Sequence, residues 1–326
     1  MRILIAGHAT EDSFADNVYH TLVGMGHDVR VLGHLSPARY DAHWRVYARA
    51  IAERMARKSL EPDGRRLIRI VKQFRPEMVL ALTREFSHET LDQLNQISRP
   101  VKILWWGDAP ANARRHAFVE PLWDLIFIKD ENAVRKTRLV RADVYLLHEA
   151  MNPRWHRPIS SQKHDRIVVA GNWYGFRQAL VSRLLSDGVG VDCYGSRPPL
   201  WVLPVIAQHH TGRYIVREEK SRIFGEGLAC LNSFQYAEGN SLNCRAFEIA
   251  GAGGLELIEY RSAIESCFEI GKEVLAFRSY EELLDLIRQI KKDQTGMRKI
   301  REAASRRALA DHTYRHRLET IMRAVM

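Results

Sequence analysis

Two stretches in the second half of the chain combine residue types that can hold a charged ligand. Gly171-Asn172-Trp173-Tyr174-Gly175-Phe176-Arg177 begins on a glycine and ends on an arginine. If a helix opens there, free backbone amides and the Arg177 guanidinium would meet on one phosphate. A tight turn followed by a solvated arginine explains the same residues. The second stretch, Glu238-Gly239-Asn240-Ser241-Leu242-Asn243-Cys244-Arg245-Ala246-Phe247-Glu248, runs into IAGAGGLELI. Ser241 or Asn243 can cap a short helix whose apolar side is Ala246, Phe247, Ile249 and Ala250, with Glu248 one turn in. Capping accounts for the serine and asparagine without any ligand. It does not account for Gly251-Ala252-Gly253-Gly254, which ends the helix early and lets it pack close to the next strand. Amides at the start of such a helix can cradle a diphosphate while the carboxylate holds ribose hydroxyls.

Two further residues could move a proton. His8 stands in Gly7-His8-Ala9-Thr10, and Asp108 in Gly107-Asp108-Ala109-Pro110, each directly after an apolar run. Either could act as a base, and either could be satisfied locally, His8 within its loop and Asp108 as the cap of a turn. Trp105 and Trp106 precede that aspartate, and one of them is available to stack on a sugar if it is not part of the core.

All these positions come after short apolar runs bounded by turn residues, and between the runs lie longer stretches of helical period. That alternation is the pattern of a parallel sheet with crossover helices. Strands are predicted over 3–6, 29–32, 78–82, 101–105, 125–128 and 144–147, with helices near 13–25, 41–59, 64–74, 87–97 and 130–138. Residues 148–165 break the pattern with prolines and histidines, as a linker does. A second set begins after them, with strands over 167–170, 189–194, 228–231, 255–258 and 274–277 and helices near 175–186, 217–225, 243–251 and 279–292. The fold class is therefore α/β, two Rossmann-like doubly wound parallel-sheet domains facing each other across a hinge. In such sheets ligands gather beyond the carboxyl ends of the strands, where the residues above sit. The last thirty residues are amphipathic and helical, with a break at His312-Thr313. They either dock on their own domain or cross back to the first.

Length and composition agree. Three hundred and twenty-six residues exceed what one core usually serves, and 46% hydrophobic with 27% charged residues is ordinary for a globular chain. Forty-nine Lys plus Arg against 39 Asp plus Glu give +10, a field that favours anionic partners. The excess is spread over both halves, and aromatics are not interleaved with the arginine runs, so nucleic acid is not expected as a partner. No GxxxxGK[ST] occurs, which excludes a P-loop nucleotidase. Cys193, Cys230, Cys244 and Cys267 are scattered without a CxxC pair or clustered histidines, so neither zinc nor a disulfide framework is indicated and a reducing compartment is expected. The amino-terminal apolar run is too short for a signal peptide, and no stretch is long enough to span a bilayer. The expected location is the cytoplasm, with one reservation. Trp44, Tyr47, Ala48, Ile51 and Met55 form a helical stripe beside Arg45, Arg49, Arg54, Arg57, Lys58, Arg65, Arg66, Arg69 and Lys72. This is either a solvated face or a surface for anionic lipid headgroups, which would make the protein peripheral to the membrane.

The stretch NSLNCRAFEIAGAGGLELIEY, followed by CFEIGKEVLAF, SYEELLDLI and DHTYRHR, resembles the C-terminal half of the CgeB-like and group-one glycosyltransferase families. Upstream, ILWWGDAP, DLIFIKD and VYLLHEAMNPRWHRP resemble segments of the same families, so the resemblance covers roughly residues 100–320. It implies a GT-B fold. Residues 1–155 would be the acceptor-side domain and 156–310 the nucleotide-sugar domain, with 311–326 a closing helix placed to return to the first domain. By the same resemblance Glu248 grips the donor ribose, Arg177 lies at the diphosphate beside Gly171 and Asn172, and Ser241 to Arg245 form the phosphate-facing loop. Asn240 stands where the group-one enzymes commonly carry a second glutamate, with Glu238 two residues earlier. Glu256 repeats that spacing on the far side of Glu248 but falls in a predicted strand, so its match is accidental.

The implied activity is transfer of a sugar from a nucleotide-sugar to an acceptor that the sequence does not identify. Such a reaction builds negative charge on the leaving diphosphate. With no DxD-type cluster present, Arg177, Arg245 and helix dipoles would have to meet it, and no metal or other cofactor is expected. An inverting reaction would use His8 or Asp108 as base; a retaining one needs neither. A nucleotide-binding scaffold without turnover, or a sugar-nucleotide epimerase, would fit the same architecture.

Overall fold

The computed structural model describes residues 1–33, 62–113, 116–160 and 162–325. The helix expected near 41–59, with the tryptophan stripe and the first five of its basic residues, lies outside them. The first domain is built on six strands: β1 (Arg2–Ala6), β2 (Asp28–Val31), β3 (Met78–Leu82), β4 (Val101–Trp106), β5 (Leu125–Ile128) and β6 (Val144–Leu146). All pair in parallel, in the order β2-β1-β3-β4-β5-β6. The inner strands β3 and β5 read as unbroken apolar runs because helices cover both faces of the sheet, while the edge strand β2, Asp-Val-Arg-Val, alternates. On one face Leu4, Val79, Leu104 and Ile126 meet Leu67 and Val71 of α2 (Pro62–Phe74) and Leu91 and Leu94 of α3 (His88–Ile97). On the other, Ile3, Leu80, Ile103 and Phe127 meet Val18 and Leu22 of α1 (Phe14–Gly24). Trp105 and Trp106 follow the same alternation and are both buried, at 0% and 3% exposure. Neither is a sugar platform. Trp105 packs edge-on against Phe14, and Trp106 donates its indole N–H to the Ala109 carbonyl.

A short helix α4 (Glu131–Thr137), capped by Asp130, leads to β6. The chain then crosses to the second domain through residues 147–166. Five parallel strands make up its sheet: β7 (Ile167–Ala170), β8 (Val191–Tyr194), β9 (Ala229–Asn232), β10 (Glu256–Glu259) and β11 (Leu275–Phe277), in the order β11-β10-β9-β7-β8. Around them lie α5 (Gly175–Ser186), α6 (Pro204–Gln208), α7 (Arg217–Glu226), α8 (Cys244–Gly251), α9 (Tyr280–Lys292) and α10 (Gln294–Asp311). The order reverses between β7 and β9, so the loops after these two strands part and leave a crevice between them. Asn243 caps α8, accepting from the Ala246 amide at 3.3 Å.

The closing helix α11 (Tyr314–Val325) packs on the first domain, with Tyr314, Leu318 and Ile321 in the cluster formed by β1, β3 and α1. Each of these buried side chains contributes ~1.5–3 kcal/mol, enough together to anchor twelve residues on a domain they do not follow in sequence. Its start is tied to the crossover, since the Met151 amide donates to His312 O and the Tyr314 amide to Met151 O, each at 3.0 Å. Among the described residues no helix is long and apolar enough to cross a membrane.

Candidate functional site

The crevice between β7 and β9 gathers two guanidinium groups. Gly171 leaves β7 with φ +117°, a conformation that favours glycine. The space a Cβ would take there is 2.4 Å from Arg245 Nη2 and 3.3 Å from Arg177 Nη1. Arg177, in the first turn of α5, is 2% exposed. It binds the loops on both sides of the crevice, donating to the carbonyls of Asn172 (2.6 Å) and Ser233 (3.0 Å) and lying over the Tyr174 ring. Burial, then the neighbouring Arg245 charge, push its pKa down to about 10. Among the described residues Arg245 is held at one end, Nη1 donating to Asn232 Oδ1 at 3.2 Å. Two cations held together over a glycine whose missing side chain lets Arg245 approach the backbone are the chemistry of a candidate anion site. Asn172 adjoins it, accepting from Ser196 Oγ, and Asn243 exchanges hydrogen bonds with Asn232.

One turn into α8, Glu248 faces the first domain. Its Oε1 lies 2.8 Å from Lys220 Nζ of α7, and the same ammonium is 2.7 Å from Asp12 Oδ2 in the loop after β1. Asp12 also accepts from the Arg217 amide (2.8 Å) and from Asn17 Nδ2 (3.1 Å). Burial opposes ionisation of Asp12, but the Lys220 ammonium and His156 overcome it and hold the carboxyl far below its ordinary range. Burial likewise opposes the Lys220 charge, and Asp12 with Glu248 raise its pKa nonetheless. His156 receives the Asn152 amide on Nδ1 (3.0 Å), so its ring hydrogen is on Nε2. That atom is buried 3.4 Å from Asp12 and 3.8 Å from Glu248, a long contact to each, and has no closer partner among the described residues. Asp12, His156 and Glu248 each bring a ligand atom within 4.8 Å of the others, a set that could hold a cation. Here the charge between the two carboxylates is supplied by lysine. Arg217 closes the same seam with Glu11 (3.0 Å) and Asp16 (2.8 Å).

A second seam lies at the end of β5. Lys129 Nζ is 2.8 Å from Glu238 Oε2, and Asp130 Oδ2 accepts from the Asn240 amide at 2.9 Å. Glu238 is also reached by Ser241 Oγ (3.2 Å), while the Asn240 side chain ties its loop to Ser262 and Ala263. Beneath this seam is Glu149, at 7% exposure. Burial, with Glu238, Glu248 and Asp108 adding negative charge, pushes its pKa up to about 8 against the pull of Lys129. Asp108 is half-buried at the end of β4, its two oxygens accepting from the Ala109 amide (2.7 Å) and Asn112 Nδ2 (2.9 Å). His8 is exposed in the loop after β1.

The structure thus brings Gly171, Asn172, Arg177, Asn243 and Arg245 into one cluster and Glu238, Asn240 and Ser241 into a second that touches the first domain. Glu248 lies on the seam with Asp12. Asp108 adds negative charge beside Glu149, while His8 stays on the exposed part of its loop. Sequence reasoning missed Asp12, Lys129, Glu149, His156 and Lys220. Lys129 directly follows a strand and Asp12 lies in the loop after one, so a wider reading of strand ends would have found them. Lys220 carries no local signal within REEKSR; its burial comes from docking of the two domains.

The family model described as glycosyl transferase-like matches residues 153–323. No curated protein matches the chain significantly in sequence. Among solved structures, Anabaena HepE in complex with UDP-glucose is similar, with TM-score 0.68 and 10% identity over 100% of this chain and 99% of its own. Sucrose-phosphate synthase from Thermosynechococcus elongatus gives 0.66 and 11% over the same shares. The glucosyltransferase of T4 phage with UDP-glucose gives 0.58 and 11%, again over 100% and 99%. These likenesses establish a GT-B fold.

Proposed function

The chain belongs to the glycosyl transferase-like family, and from that premise we propose that it moves a sugar from a nucleoside-diphosphate sugar, held by the second domain, to an acceptor hydroxyl presented by the first. The observation that carries this reading is the pair Arg177 and Arg245 over Gly171, with Glu248 one helical turn away. Arg177 is engaged by Asn172 and Ser233 through all three of its nitrogens, so its part is to set the two loops at the correct separation. Arg245, tethered at Nη1, supplies the contact to the diphosphate together with the amides at the start of α8. Glu248 spends Oε1 on Lys220, and its Oε2 accepts no hydrogen bond from a described residue. Two ribose hydroxyls fit that acceptor. UDP-glucose in the HepE and T4 phage complexes makes a uridine donor the first to test.

Negative charge on the leaving diphosphate is met by the Arg245 guanidinium and by backbone amides fixed in place before the reaction. Lys220 is neutralised between Asp12 and Glu248, so the positive charge for the leaving group comes from Arg245 and the α8 amides, a reading in which no metal is required. Asp12 is too strongly held as an anion to serve as base. Asp108 and His8 are the bases available to an inverting reaction. On the first domain, α2 exposes Arg65, Arg66, Arg69 and Lys72 opposite buried Leu67 and Val71, which favours peripheral contact with anionic membrane. Flotation with anionic but not neutral vesicles is the expected outcome, and equal partition contradicts that contact.

Incubation with UDP-, GDP-, TDP- and CMP-sugars tests the main reading. Release of nucleotide with hydrolysis or transfer of the sugar supports it. An isomerised donor indicates an epimerase, and binding without turnover a scaffold.

A further inference from the structure

We propose that Glu149 is a substrate-binding residue that donates its carboxyl proton in a hydrogen bond to a hydroxyl of the transferred sugar, an inference that rests on the donor reading above. Glu149 lies in the crossover between the domains and packs on the end of β4. A Cβ added to Gly107 would fall 3.0 Å from both its Cγ and Cδ and 2.9 Å from Phe14. It is therefore directly beneath the strand end that presents Asp108. Its charge environment comes from both domains: Lys129 and Asp108 from the first, Glu238 and Glu248 from the second, with Cys244 of α8 and Tyr314 of α11 completing the surroundings. In the donor reading the transferred sugar lies between a nucleotide on the second domain and an acceptor on the first, the boundary on which Glu149 stands.

No described residue forms a hydrogen bond or ion pair with the Glu149 carboxyl, although Lys129 beside it is bound to Glu238. The carboxyl is nine-tenths buried, yet neither oxygen is sealed from solvent, so a ligand hydroxyl can reach it and supply the partner that the protein does not. The neighbouring acids Asp108, Glu238 and Glu248 only accept when ionised. With the Lys129 ammonium bound to Glu238, a protonated Glu149 adds a second donor for a sugar hydroxyl, and burial with three nearby carboxylates keeps that proton up to about pH 8 against the pull of Lys129.

The test is titration calorimetry on the full chain and its E149A and E149Q variants with UDP-, GDP- and TDP-glucose and with the matching UDP, GDP and TDP, from pH 6 to 9.5. Wild type should prefer the nucleotide-sugar over its nucleoside diphosphate, and lose that preference above pH 8. E149A should weaken the sugar-bearing ligand about 10-fold and leave the diphosphate within about 2-fold. E149Q, which keeps a donor, should recover most of the loss and remove the alkaline fall. If E149A weakens both ligands equally, or neither, the assignment is wrong while the donor reading stands. If wild type binds none of the six, the donor reading fails and this assignment with it.

Discussion

Gly171→Ala puts one methyl group at the point where the donor diphosphate is proposed to sit. The residue has φ +117°, where an L side chain is strained by ~1–3 kcal/mol. The new Cβ would be 2.4 Å from Arg245 Nη2 and 3.2 Å from its Cζ. Both belong to the far end of a flexible side chain, so the clash is relieved by Arg245 swinging out of the crevice and not by unfolding of the sheet. The loss then falls on binding. A hydrogen bond to a charged group contributes ~1.5–3 kcal/mol, so the donor should bind about 10- to 100-fold more weakly. The melting temperature should fall by no more than a few degrees. Calorimetry with UDP-glucose beside a thermal melt measures both. A variant that stays folded and binds the donor as wild type does would remove the diphosphate from this crevice.

Lys220→Met leaves Asp12 and Glu248 buried without their shared cation, a loss of ~3–5 kcal/mol readable in urea unfolding. In wild type the folded pKa of Asp12 is depressed, so its contribution is complete above its unfolded value near 3.8 and fades only as pH falls toward the folded one. In Lys220→Met the acid limb should move to higher pH, and an unmoved limb would contradict the bridge. Glu256, 1% exposed on β10 with Oε2 unpartnered, has its pKa raised to about 8 by burial, against the hydrogen bond from Asn232. The folded state keeps a proton that the unfolded chain releases above 4.5, so stability falls with rising pH until about 8. Glu256→Gln should flatten that limb and add up to ~3 kcal/mol at pH 7; a variant that tracks wild type from pH 5 to 9 contradicts it. Leu318→Ala on α11 should cost ~2–5 kcal/mol, and its melt should show the first domain losing stability; a loss confined to the second would contradict docking of α11 on β1 and β3.

Most strands were legible because each is an unbroken apolar run between turn residues, as at 78–82 and 125–128, and helices on both faces demand such runs. The five-residue α6 was missed, since the prolines in SRPPLWVLPV gave a turn signal and the helix is too short to show a period. Local chemistry also read through: Asn243 caps α8, and Gly171 leaves its strand in a conformation that favours glycine. The family motifs around 238–254 fall on the loop and helix that line the crevice. Missing from the sequence was what depends on docking. Glu149 reads as one polar residue of a proline-bearing linker, and Lys220 as one charge among several in REEKSR. Both acquire their chemistry only when a carboxylate from the other domain arrives beside them. Trp105 and Trp106 erred in the opposite direction, since adjacent aromatics on a strand invite a binding role until helices are seen to cover both faces.

The most direct measurement is a crystal structure with UDP-glucose bound. The diphosphate should lie against Gly171 and within hydrogen-bond distance of Arg245, the ribose hydroxyls on Glu248, and the glucose between Gly107 and Glu238. Nucleotide density outside the crevice between β7 and β9, or a ribose that does not touch Glu248, would contradict the account.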